Sequence, residues 1–202
     1  MSFAALALML MGSVQAFAAE DDDTFSVWND IQITKNLGKY SISLRGEHWT
    51  GDRYFVQPSF GVKPLSWLKL DAGYFWIDRY KTADKEFRHR AFAQATFTAK
   101  NGPLSVSLRE RYMYEWINKG GVWSGNNVMR HRLMAQYAAT KSLKPYLAAE
   151  VFHWTKWTMT RHYVGTVFTL AKGHDIDLFY MYLTNAGKPA QHTLGLGYHF
   201  TF

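Results

Sequence analysis

Cysteine is absent from the 202 residues, so neither a disulfide framework nor a thiolate metal site can be built. Also missing are Gly-x-Ser-x-Gly, His-Glu-x-x-His and any phosphate-cradling glycine loop, which removes the usual signatures of α/β-hydrolases, zinc hydrolases and nucleotide-binding enzymes. No cofactor and no metal is expected. The chain carries 23 basic and 16 acidic residues, a formal charge of +7. Yet no basic block exists; the cations are spread through alternating segments instead of gathering on one recognition element. Nucleic acid is therefore not expected as a partner. A sustained apolar run occurs only near the N-terminus, and it is shorter than the roughly 20 residues a spanning helix needs.

That run covers residues 3–14. Ala16-Phe17-Ala18 then supplies small residues at the two positions a signal peptidase reads, and Glu20-Asp21-Asp22-Asp23 follows at once. The expected organisation is a signal peptide over 1–19, cleaved after Ala18 or Ala19, and one barrel domain over 20–202. No Lys or Arg precedes the apolar run, which fits a translation start upstream of Met1.

Aromatics, at 17% of the chain, are plentiful for a soluble domain. After residue 24 the dominant period is two. Phe25, Val27, Ile31 and Ile33 alternate with Ser26, Asp30, Gln32 and Thr34; Leu68, Leu70, Ala72, Tyr74 and Trp76 alternate with Lys69, Asp71 and Gly73. Similar patterns fill 40–47, 87–98, 104–116, 129–139, 146–154, 161–171, 176–183 and 193–202, with a weaker one over 54–62 around Pro58. Alternation alone also suits a soluble sandwich. Segment length decides: most run about 9–13 residues, the reach of a tilted strand across a bilayer, where globular strands run about 5–6. Connections alternate between short (35–39, 63–66, 100–103, 141–145, 172–174) and long (78–86, 118–127, 185–190), as in outer-membrane barrels with short periplasmic turns. Trp49, Trp67, Trp76, Trp116, Trp154 and Trp157 fall near segment ends, where headgroup-level girdles are expected.

The expected fold class is thus all-β: a transmembrane antiparallel barrel of about 10–12 strands. Tyr198, Phe200 and the terminal Phe202 form the alternating aromatic ending that barrel assembly machinery reads; that machinery and outer-membrane lipid are the expected partners. Two features sit badly. An even-stranded barrel leaves no place for 25–33, so either ten strands close and this segment is irregular, or a twelfth strand is hidden. Glu110 shares parity with the lipid-facing Leu108 and Tyr112, which predicts a bulge near Arg109–Arg111 to turn it inward.

Arg88-His89-Arg90-Ala91-Phe92-Ala93-Gln94 recurs as Arg130-His131-Arg132-Leu133-Met134-Ala135-Gln136, with Thr98 matching Thr140 and Pro103 matching Pro145. A strand, turn and strand thus repeat at one spacing, as hairpin duplication produces. Together with Phe25-x-x-Trp28, Trp67-Leu68-Lys69-Leu70, Ser107-Leu108-Arg109-Glu110-Arg111-Tyr112, Pro145-Tyr146, Thr160-Arg161-x-Tyr163 and Tyr198-x-Phe200-x-Phe202, these motifs run over nearly the whole mature chain. In their order and spacing the sequence resembles a domain-of-unknown-function family of Gram-negative outer-membrane β-barrel proteins. The resemblance implies the fold and the membrane, and supplies no catalytic residues.

With apolar positions facing lipid, the opposite face lists the lumen. It holds Arg45, Glu47, Asp71, Arg88, Arg90, Arg109, Arg111, Glu115, Arg130, Arg132, Glu150, Asp175 and Asp177. Arginine suits such a place because its planar fork binds carboxylates bidentately and stays charged. Folding at 141–145 sets Arg132 beside Glu150, the expected central pair. The lumen is then either salt-bridged shut or a narrow polar pore with anion preference. An outer-membrane lipid hydrolase is the alternative; His199, the one lumen-facing histidine of the clear strands, would serve as its base.

Overall fold

The computed structural model describes residues 24–80, 86–154, 158–185 and 188–202; the expected signal peptide and Trp157 lie outside them. The strands are β1 (Thr24–Leu37), β2 (Tyr40–Trp49), β3 (Arg53–Leu65), β4 (Leu68–Arg79), β5 (Glu86–Asn101), β6 (Leu104–Lys119), β7 (Val122–Tyr137), β8 (Leu143–Trp154), β9 (Thr158–Ala171), β10 (His174–Asn185) and β11 (Gln191–Thr201). Their lengths of 10 to 16 residues suit a tilted crossing of a bilayer. Each strand pairs antiparallel with the next, and β1 meets β11 to close a barrel.

That closure replaces both expectations for the first segment. β1 is a regular strand, the described residues contain eleven strands, and β1 and β11 run parallel in unbroken register from Thr24↔Gln191 to Thr34↔Thr201. At the seam's end Phe202 N donates to Thr34 O at 3.0 Å, and Asn36 N donates to Phe202 O at 2.8 Å. An even count is required only when both chain ends leave by one mouth. A parallel seam lets them leave by opposite mouths, as in known odd-stranded barrels.

The connection pattern is corrected too. The stretch 118–127 is no loop: β6 and β7 continue past it, pairing to Lys119↔Val122. Gly120 and Gly121, at φ 57° and 85°, make the two-residue turn that only residues tolerant of positive φ can form. This tip lies at the same mouth as the connections after β2, β4, β8 and β10, here called the loop end. Opposite it is the turn end, with the tight hairpin between Leu37 and Tyr40.

Parity sorts the side chains into two environments. Ile42, Leu44, Phe60, Leu70, Leu133, Leu147, Val164, Leu178 and Leu194 are exposed on the outer wall, the apolar belt that lipid requires. Trp67, Trp76 and Trp116 also lie outside, but Trp49 is 2% exposed and packs in the lumen, as Trp154 does against the same cluster. Trp49 and Trp154 therefore do not belong to the girdle. The expected bulge at Arg109–Arg111 is absent, since β6 keeps continuous register with β5 and β7. Glu110 faces outward and is satisfied there by His131 Nδ1 on the neighbouring strand.

Inside, the two halves differ. Toward the loop end the lumen is packed with Trp28, Trp49, Phe75, Ile77, Met113, Val128, Phe152, Met159, Met181 and Leu183. Burying each such side chain contributes roughly 1.5–3 kcal/mol. Toward the turn end many inward positions are polar, including Ser41, Ser43, Asp71, Gln94, Asp175 and Asp177. Between the halves Phe179 lies flat over Gly195, where an added Cβ would collide with the ring. Such small residues let large rings lie against the wall.

Candidate functional site: a charged layer beneath a cationic basin

Glu150 is the centre of the interior network. It sits mid-strand on β8, pointing inward, with zero exposure. Arg130, on the adjacent β7, binds it bidentately: Nε donates to Oε1 at 2.6 Å and Nη2 to Oε2 at 2.8 Å. Arg109 Nη2, from one strand further, donates to Oε1 at 2.5 Å, and Tyr163 OH donates to Oε2 at 3.1 Å. This arrangement supplies the geometry and the extra hydrogen bonds that a buried ion pair needs against its desolvation cost.

Arg132 does not fill the role expected of it. Its Cα stands opposite that of Glu150, but its guanidinium lies over the Tyr163 ring at 4.9 Å and reaches Sδ of Met134. Arg130 takes the carboxylate because long side chains lean along the strand, so the diagonal neighbour wins over the opposite one.

Two satellite groups flank it. Glu115, also with zero exposure, accepts from Arg90 Nε at 2.6 Å and Arg88 Nη1 at 3.2 Å. Arg88 also binds Glu86. Across the barrel Arg45 binds Asp30 and lies 3.1 Å from Glu47, whose other oxygen accepts from Trp49 Nε1 at 2.7 Å. Arg111 has no carboxylate partner among the described residues. Its Nε donates to Gln94 Oε1 at 2.7 Å and its plane covers Phe92 at 4.4 Å, a cation–π contact. Asp71, Asp175 and Asp177 stand apart at the turn end, held by Lys69, Thr169 and Tyr146 respectively.

The structure adds Asp30, Asp52, Glu86, Arg53, Arg79 and Arg161 to the lumen. Asp30 shared the polar parity of its segment and was findable; Arg53, Arg79 and Glu86 fell beyond the apparent segment ends. A larger omission is the apolar half of the lumen. Phe75, Met113, Phe152 and Met181 occupy polar-parity positions, so treating every apolar residue as lipid-facing hid them.

His199 bonds Asp30 through Nε2 at 2.9 Å, and among the described residues no serine hydroxyl hydrogen-bonds to its ring. The base–nucleophile contact a hydrolase would use is not present there. Among the terminal aromatics, Tyr198 OH meets His174 Nδ1 at 2.7 Å, Phe200 stacks on His174 at 4.6 Å, and Phe202 stacks on Phe200 at 5.3 Å. All three lie on the outer wall at the turn end.

Above the charged layer, at the loop end, lies a cavity of about 420 Å³ whose wall includes Arg53, Arg79, Arg88, Arg90 and Arg161. Below it a narrower space of about 50 Å³ continues among Arg45, Arg111 and Arg130.

A closed sheet, antiparallel except at the β1–β11 seam, an apolar outer wall and a charged lumen define an outer-membrane-type β-barrel of porin-like fold. Residues 22–193 match the family model described as a protein of unknown function, DUF2490, and the chain belongs to that family. Among solved structures it is similar to the NanC porin, with 14% identity over 85% of this chain and 91% of that one, at a TM-score of 0.57. It is also similar to the translocator domain of the autotransporter NalP from Neisseria meningitidis, with 12% identity over 81% and 73% of the two chains and a TM-score of 0.50. At such identities the likeness is one of fold. No curated protein matches the sequence.

Proposed function

We propose that this protein is a non-enzymatic outer-membrane barrel whose lumen is held shut by its own ion-paired layer. The observation that carries this reading is Glu150: zero exposure, two arginines and a tyrosine on its oxygens. The fully enclosed Met113, Val128 and Met181 belong to the apolar cluster that fills the lumen toward the loop end. A water-filled channel would leave such groups hydrated; here protein contacts replace the water.

In this reading residues 1–19 direct export and are removed. The aromatic ending at Tyr198, Phe200 and Phe202 engages the assembly machinery, and the apolar wall meets lipid. Short turns face the periplasm, so the basin opens outward. Planar-bilayer recording tests closure. The purified barrel should insert without conductance steps at moderate voltage; stable, repeated steps from the wild-type protein would overturn the proposal. If such steps appeared with anion preference, the arginine-lined open pore would replace it.

A further inference from the structure

The basin at the loop end holds more cation than its own carboxylates can match. Asp52 binds Arg79 at 2.9 Å and Arg53 at 3.0 Å. Glu86 is shared by Arg79 and Arg88, and Glu115 by Arg88 and Arg90. Arg161 is left over. Its nearest carboxylate is Glu150, at 3.9 Å, already claimed by Arg109 and Arg130. Arg161 is 8% exposed, and its Nε is a buried donor with no acceptor. An unsatisfied charged donor is costly, and the Arg161 side chain forms part of the cavity wall.

The aromatic side chains explain how these cations are held without being consumed. Arg161 lies over Phe152 at 4.6 Å and Trp49 at 5.3 Å, and Arg53 lies over Trp49 from 4.6 Å. Stacking occupies the face of a guanidinium and leaves the N–H edge for a planar or tetrahedral anion. Shared carboxylates, stacked arginines and an open volume of about 420 Å³ together describe a polar site with surplus positive charge on its wall.

We infer that the basin is a binding site for a small carboxylate- or phosphate-bearing solute, held by Arg53 and Arg161 with Arg90 at its floor. The arginines of the wall all take inward parity, so the ligand reaches the site through the loop-end mouth and not from the lipid surface. The charged layer below makes the floor, and to that extent the site rests on the closed-lumen reading. Binding in detergent and conductance in a bilayer are nonetheless separate measurements, so either can fail alone.

The test titrates the detergent-purified mature barrel with inorganic phosphate and with citrate, against uncharged glucose, at constant ionic strength. Tryptophan fluorescence is the readout, because Trp49 lies directly under both arginines. A saturable change with phosphate and citrate, and none with glucose, is expected. Arg53→Gln and Arg161→Gln should each weaken binding about tenfold or more, as loss of a charged hydrogen-bond donor does. Lys141→Gln, at the other mouth, should bind like wild type. Each variant is first checked for a heat-modifiable gel band, and should Arg161→Gln fail to fold, Arg53→Gln decides alone. A non-saturable, salt-like response, an equal response to glucose, or unchanged affinity in the folded arginine variants would overturn the assignment.

Discussion

At the scale of the residue, Glu150 concentrates more of the molecule's electrostatics than any other group. Its carboxylate receives Arg109, Arg130 and Tyr163 while fully enclosed. Replacing it with glutamine should leave two buried guanidiniums without their counter-charge, a loss of roughly 3–5 kcal/mol for groups of this kind. The measurement is the unfolding midpoint in detergent against denaturant. Arg130→Gln in the Glu150→Gln background should recover part of that loss, whereas Arg132→Gln alone should cost far less, because Arg132 stacks on Tyr163 instead of binding the carboxylate. Equal losses for Glu150→Gln and Arg132→Gln would contradict the network. Alternating parity alone placed Glu150 inside and near arginines. Counting back from the 141–145 turn chose Arg132, where the structure has Arg130 and Arg109, since the partner depends on how long side chains lean and on which strand lies one further round the wall.

At the scale of the element, the seam between β1 and β11 is where the sheet departs from a simple meander. Parallel pairs are somewhat less stable per residue than antiparallel ones, and this one is reinforced from within. Ser26 Oγ and Thr193 Oγ1 are hydrogen-bonded at 2.8 Å, and His199 reaches across to Asp30. The absence of native cysteine makes the seam easy to test. A Ser26→Cys/Thr193→Cys pair should oxidise to a crosslink, and so should Thr34→Cys/Thr201→Cys, because both are Cα partners in the parallel register. A mobility shift on non-reducing gels that disappears on adding reductant should report each bond, and a Ser26→Cys/Thr201→Cys pair should give none. Crosslinking of that last pair would mean an antiparallel seam. Ten strands were readable in the central alternation, and the eleventh was visible as a pattern but not as a neighbour. Pairing between chain ends leaves no turn in the sequence to announce it. The tip of β6 and β7 was hidden for a different reason: beyond Trp116 the pattern turns to glycine, serine and asparagine, residues that suit a loop locally but are paired here by the neighbouring strand.

At the scale of the whole molecule, closure makes the barrel one cooperative object, with every strand hydrogen-bonded on both sides. Such a wall should resist dodecyl sulfate until heated, so the unboiled protein should run faster on a gel than the boiled one. Phe202 ties the C-terminal edge to β1 through two backbone hydrogen bonds and ends the outer aromatic row. Deleting it should lower the yield of the fast-running form in cells without lowering the total amount of the chain. Full assembly of the truncated chain would show that the terminal aromatic is dispensable. Fold class was legible at this scale because a two-residue period sustained across membrane-length segments has few other solutions. Whether the lumen is open or closed was not legible, since it depends on the apolar residues at inward positions, whose hydrophobicity carries no label of which side they face.

The odd strand count has a topological consequence. In barrels whose ends share a mouth, the old termini can be joined by a few residues and new ones cut elsewhere, the usual route to circular permutation. Here Thr24 and Phe202 emerge at opposite mouths, separated by the ten residue steps from Thr24 to Thr34 along the seam, about 33 Å of extended strand. A joining linker would have to thread the lumen through the layer around Glu150 or cross the lipid along the outer wall. This chain is therefore a barrel with a fixed starting point, whose order of strands cannot be rotated without first removing β1 or adding a strand.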